Sequence, residues 1–125
     1  MSDLRPKGIP ISLLDGVERD ILFTLAVVDE IQDHYDLPIG KVMVMLIDPR
    51  ETYETLSHIA LALINDSIRR EGGKEKDFVR LEELKELVDV PMAKELLRVI
   101  MQSYGYALPN AEEDEDPNST GSRSS

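Results

Sequence analysis

Apolar residues alternate with polar ones on either side of the pair Asp15-Gly16, and this alternation limits the fold more than any other feature of the chain. Ile9, Ile11, Leu13, Val17, Ile21 and Phe23 take odd positions, with Arg19 the exception. Pro10, Ser12, Glu18 and Asp20 take even ones, though Leu14 and Leu22 break the pattern. Period-2 alternation marks half-buried strands, and Asp-Gly between apolar runs marks a hairpin. Register then selects the turn. A two-residue loop at Asp15-Gly16 would pair Leu13 with Glu18 and Ile11 with Asp20, setting acids on the apolar face. A three-residue loop, Leu14-Asp15-Gly16 with Gly16 left-handed, pairs Leu13 with Val17 and Ile9 with Ile21 and keeps odd residues facing odd. The three-residue loop is expected. A lone pair of strands is marginal in water, so the ribbon must lie on something else.

That something is helical. The period changes at Thr24, a candidate N-cap, after which Leu25, Val28, Ile31 and Tyr35 form one stripe up to Asp36. Pro38 opens a short second helix with Ile39, Val42, Met43 and Leu46. In Asp48-Pro49-Arg50-Glu51 the spacing predicts a capping box, with Asp48 as cap, Pro49 at N1 and Glu51 reaching back from N3. The helix that follows carries Leu56, Ile59, Ala60, Leu63 and Ile64, and ends on Arg69 and Arg70 before Gly72-Gly73, as the helix dipole and C-cap favour. Gly72 to Asp77 reads as a charged loop, and Phe78 and Val79 lead into a short helix with Leu81, Leu84, Leu87 and Val88. Asp89 caps a last helix with Pro91 in its first turn and Ala93, Leu96, Leu97, Ile100 and Tyr104 on one face, stopped by Gly105 and Pro109. The expectation is a mainly α domain of about five short helices with an N-terminal β-hairpin. Residues 1–8 are expected to be a flexible N-terminus, 9–109 the domain, and 110–125 a disordered acidic and polar tail.

Charge and cysteine content remove whole classes of function. With 25 acids against 14 Lys and Arg, the net charge of −11 disfavours nucleic acid and anionic lipid as partners. Part of that excess is local, in Glu112, Glu113, Asp114, Glu115 and Asp116. Zero cysteines exclude disulfides, thiolate metal sites and a cysteine nucleophile. No run approaches the roughly 20 apolar residues of a membrane helix, and Met1 to Gly8 lacks the apolar core of a signal peptide, which predicts a cytoplasmic protein.

Catalytic groups are few. His34 follows Asp33, but neighbours on a helix point apart. His58 has no nucleophile in a recognisable setting, and a surface or half-buried role is the plainer reading of both histidines. Glu82-Glu83 and Lys85-Glu86 read as the wet face of an amphipathic helix. Gly72-Gly73-Lys74 lacks phosphate-loop spacing, and the acidic tail lacks the central Gly and flanking helices of an EF-hand. No catalytic, cofactor or metal residue is expected. Two features remain as partner-binding candidates. Val42-Met43-Val44-Met45-Leu46-Ile47 is apolar all round, which fits burial but equally a docking element; Val42, Met43, Met45 and Leu46, with Met92 and Met101 on the last helix, are the candidate contacts, because flexible methionines suit adaptable interfaces. The hairpin's open edge is the other candidate, since it could accept a strand.

The order of elements resembles the tail assembly chaperones of long-tailed bacteriophages. Leu14-Asp15-Gly16-Val17-Glu18-Arg19, then Ile21-Leu22-Phe23-Thr24-Leu25-Ala26 and Asp29-Glu30-Ile31, carry the likeness. Leu81-Glu82-Glu83-Leu84, the segment from Met92 to Tyr106, and Leu108-Pro109 are similar to the family's closing helices. The likeness spans most of residues 9–109. It implies a scaffold that binds the tape measure protein in the host bacterial cytoplasm, keeps it soluble, recruits tail tube protein, and is absent from the mature virion. It also implies the option of a form extended by ribosomal frameshifting, for which a slippage site at Pro109-Asn110 or Pro117-Asn118 fits the coding. The acidic tail then serves as a solubilising bristle or a tether to basic tube subunits, and self-association stays open. A head–tail connector or tail-completion factor, and a small acidic host-binding regulator, are the alternative readings.

Overall fold

The computed structural model describes residues 8–107. Strands β1 (Ile9–Ser12) and β2 (Glu18–Ile21) form an antiparallel hairpin, followed by helices α1 (Leu25–Tyr35), α2 (Ile39–Met45), α3 (Thr52–Arg70), α4 (Leu81–Leu87) and α5 (Val90–Ala107). The mainly helical architecture with an N-terminal hairpin is therefore as expected. The N-terminal segment before Gly8, the tail acids Glu112 to Asp116 and the Leu108-Pro109 stop lie outside the described residues.

Ile9 pairs with Ile21, Ile11 with Arg19 and Ser12 with Glu18, and Gly16 sits at φ 76°, so the three-residue loop and its register are as expected. Gly16 donates to the Leu13 carbonyl at 2.9 Å and Val17 donates to Asp15 Oδ1 at 3.0 Å. Val17 is exposed instead of half-buried. Ile11, Leu13 and Ile21 face the helices. Arg19 shares their face, and its guanidinium folds back over the turn to Asp15, donating at 2.9 and 3.1 Å.

The ribbon is fixed to the helices by polar contacts on several sides. Leu14 N–H donates to the Leu87 carbonyl at the end of α4, and the Ser103 hydroxyl of α5 donates to the Ile21 carbonyl. Asp20 N–H donates to Ser67 Oγ, and its carbonyl accepts from Arg70, both on α3. Below them, Asp66 accepts from Thr24, Arg69 and Arg70 at 3.2, 2.9 and 3.0 Å.

Thr24 caps α1 by accepting from Val27 N–H, as expected. The buried stripe is Val27 and Ile31, with Val28 and Tyr35 partly covered; Leu25, expected on the stripe, is 85% exposed. Residues four apart line one face, so the Val27–Ile31–Tyr35 row sets the rotation and leaves Leu25 outside it. Pro38 stands at the N-cap of α2, and Gln32 supplies the missing cap by accepting from Ile39 N–H at 2.8 Å. Asp48 does not start a capping box. Its carboxylate accepts from Arg50 N–H at 3.0 Å and its carbonyl from Glu51 N–H and the Thr52 hydroxyl, forming a turn, and α3 begins only at Thr52. Asp89 does cap α5, accepting from Met92 N–H at 2.9 Å, and α5 runs on through Gly105. A single interior Gly costs a helix about 1 kcal/mol, which packing of the neighbouring Ser103 and Tyr104 readily offsets.

One apolar cluster joins hairpin and helices. Helix α3 crosses its centre with Leu56, Ile59, Ala60, Leu63 and Ile64 buried as expected, against Leu96, Val99 and Ile100 of α5 and Val42 and Leu46 near α2. Each such fully buried aliphatic side chain contributes about 1.5–3 kcal/mol relative to exposure.

Candidate apolar groove and its polar neighbour

The segment that reads as apolar all round divides into two faces. Val42, Met43 and Leu46 are buried, with exposures of 0, 4 and 0%, and serve the core, so they are corrected from docking candidates to core residues. A seven-residue helix lying on α1 and α3 must bury the side it packs with. Val44 and Ile47 are the exposed members. Met92 packs partly against the core, Met101 is exposed on α5, and Met45 lines a polar pocket near α3. These six residues do not converge on one surface. The hairpin edge fares no better. Asp20 spends both backbone groups on α3, and Pro10 opposite it has no N–H, so the facing edges give an incoming strand little to bond.

The concave apolar surface lies elsewhere, where the first turns of α3 and α5 meet α4. Leu56, Leu84 and Ala93 make its buried floor, and Tyr53, Val88, Val90, Lys85 and Asp89 its walls, around about 180 Å³. Tyr53 and Val90 stand 55 and 60% exposed on the rim. Sequence reasoning missed this groove. Its one legible signal is that Tyr53 and Val90 are large apolar residues off the buried stripes of their helices.

The groove continues along α3 into polar ground. A second hollow holds Tyr53, Glu54, Ser57, His58, Leu81 and Lys85, and a third of about 330 Å³ is lined by His34, Tyr35, Met45, Glu51, Glu54, Thr55 and His58. Here the two histidines, unrelated in sequence, stack with ring centres 4.7 Å apart and a 32° tilt. Tyr35 meets both edge-on. Burial lowers the His58 pKa below its ordinary value, the His34 ring adding to the effect and Glu54 opposing it. Burial raises that of Tyr35, whose hydroxyl oxygen is sealed from solvent with no hydrogen-bond partner; Thr55 lies close enough to oppose the shift without the geometry of a bond.

The Ser57 hydroxyl donates to the Tyr53 carbonyl at 2.9 Å, so it is committed to its own helix and not to His58. Among the described residues no three His, Cys, Asp or Glu side chains are placed to hold a metal ion, and no helix is long and apolar enough to cross a membrane. The 180 Å³ groove is below the roughly 300–1,000 Å³ of small-molecule sites and suits an inserted side chain. No protein-family model, no curated protein and no solved structure matches the chain.

Proposed function

We propose that this protein is a bacteriophage tail assembly chaperone, which binds the tape measure protein, keeps it soluble in the host cytoplasm, recruits tail tube subunits and leaves before the virion is complete. The observation that carries the reading is the apolar groove between α3, α4 and α5, on a chain of net charge −11. A tape measure protein exposes long apolar helix stripes before the tube encloses it. A holder needs apolar concavities for those stripes and a charged exterior that keeps the complex dispersed. The order of hairpin and helices supports the same reading.

Co-expression with the tape measure protein of the same genome tests it directly. The tape measure protein is expected to move from the insoluble to the soluble fraction and to co-purify with this chain, and a chain ending at Pro109 is expected to retain that effect. A tape measure protein that stays insoluble overturns the proposal. Mass spectrometry of purified virions separates the reading from a head–tail connector, which would be found in the particle.

A further inference from the structure

The apolar groove and the polar pocket lie on adjoining faces of one helix turn. Tyr53 and Ser57 border the first, Glu54 and His58 border the second, and the hollow between them contains all four together with Lys85. An occupant lying along α3 therefore meets an apolar socket and, immediately beside it, a pocket with two carboxylates. Glu51 and Glu54 face that pocket, Asp89 borders the groove, and Lys85 is the only cation among the lining residues of all three hollows. The two pocket carboxylates make no ion pair among the described residues. His58, held neutral by burial and by the adjacent His34, does not cancel them at neutral pH.

This arrangement dictates the chemistry of what binds. The groove takes one large apolar side chain, since its volume is too small for more than an anchor. The uncompensated carboxylates favour a cation, and a second copy of this chain, itself at −11, brings the wrong overall charge. On a helix, side chains three or four positions apart stand about 5–6 Å apart on one face, so a single helix can present both groups to two adjoining sites. We infer that the furrow docks an amphipathic partner helix bearing a large apolar residue for the groove and, three or four positions away, a lysine or arginine for the Glu51–Glu54 pocket. The inference rests on the proposed role of holding apolar helices, to which it adds the address and the charge signature of the segment held.

Two short synthetic helical peptides test it, sharing one leucine stripe and differing only in lysine or glutamine at the flanking positions. They are titrated by NMR into the isotope-labelled full chain in about 0.15 M salt, where distant charge attraction is damped. Shifts are expected at Tyr53, Ser57, Lys85 and Val90, with the lysine peptide binding about tenfold tighter. The double variant Glu51→Gln, Glu54→Gln is expected to abolish that preference while leaving leucine-driven binding, and Val90→Asp to weaken both peptides. All three substituted side chains are exposed, so folding is not at stake. Shifts confined to other surfaces, equal binding of the two peptides, or a preference that survives the double variant overturns the inference, as does a free protein that dimerises through these residues. If Val90→Asp still solubilises the tape measure protein, the furrow falls and the chaperone reading stands. Peptide binding in the furrow without such solubilisation gives the reverse.

Discussion

Arg19 shows how a single residue settles where a pattern breaks. Alternation puts it on the apolar face opposite Ile11, and it is 8% exposed. The break is visible in the sequence, but its solution is not, because nothing local says that the guanidinium turns back to Asp15 instead of displacing the strand. That bond, with help from Val17 N–H, lowers the Asp15 pKa below its ordinary 3.8. A carboxylate with a depressed folded-state pKa contributes stability that is present above its unfolded pKa and lost as pH falls through the folded value. Asp15→Asn is therefore expected to flatten the acid limb of the stability curve below about pH 4, measured by urea unfolding. Asp15→Ala should cost about 1–2 kcal/mol, since the near-buried guanidinium loses its carboxylate partner and keeps only the Val17 carbonyl at 3.3 Å, whereas Arg19→Met should be close to neutral because it removes the charge altogether. If Arg19→Met were the more damaging of the two, Arg19 would be acting through something other than this pair.

Elements were legible where their signals are local. The Asp15-Gly16 turn, the Thr24 and Asp89 caps, the α3 stripe and the Gly72 exit, where φ is 93°, depend on residues within a few positions of one another. The failures have the opposite character. Asp48 resembles a cap because the next three residues match one, yet it builds a turn ahead of α3, and the start of that helix is decided by where Thr55 and Leu56 reach the core. The rotation of α1 and the groove itself follow from packing between helices distant in sequence. The connection after Gly73 is such a case. Asn65, in mid-α3, donates to the Val79 carbonyl at 3.0 Å and accepts from Val79 N–H at 2.8 Å, gripping the chain just before α4 as a strand partner would. Asn65→Ala is expected to cost about 1–3 kcal/mol, since two part-buried backbone groups lose their partners, and to speed amide exchange in α4 more than in α1. Equal exchange rates in both helices would show that α4 is held by Leu84 alone.

At the scale of the whole molecule, the hairpin, α1 and α3 meet at Asp66. Its side chain is 3% exposed, yet it sits on a helix that polar periodicity alone would turn toward water. It takes the hydroxyl of the residue that caps α1, and it holds Arg69 and Arg70, of which Arg70 also reaches the Asp20 carbonyl on β2. Three elements thus share one carboxylate, and with the neighbouring bond from Asp20 N–H to Ser67 they cover the outer edge of β2. This explains why two four-residue strands, which would not persist alone, persist here. Asp66→Ala is expected to cost about 1–3 kcal/mol by urea unfolding, because it removes the buried acceptor shared by the part-buried Thr24 hydroxyl and two guanidiniums. Its distinctive signature is joint: amides of β2 and of the first turn of α1 should exchange faster together, while those of α5 keep their protection. Glu30→Ala is the matched control. Glu30 meets Arg69 only at 3.7 Å with both side chains largely in water, so its loss should change stability by less than about 0.5 kcal/mol. An Asp66→Ala variant as stable as Glu30→Ala would mean that the apolar face of the hairpin holds it unaided, and that the polar seam only sets its angle.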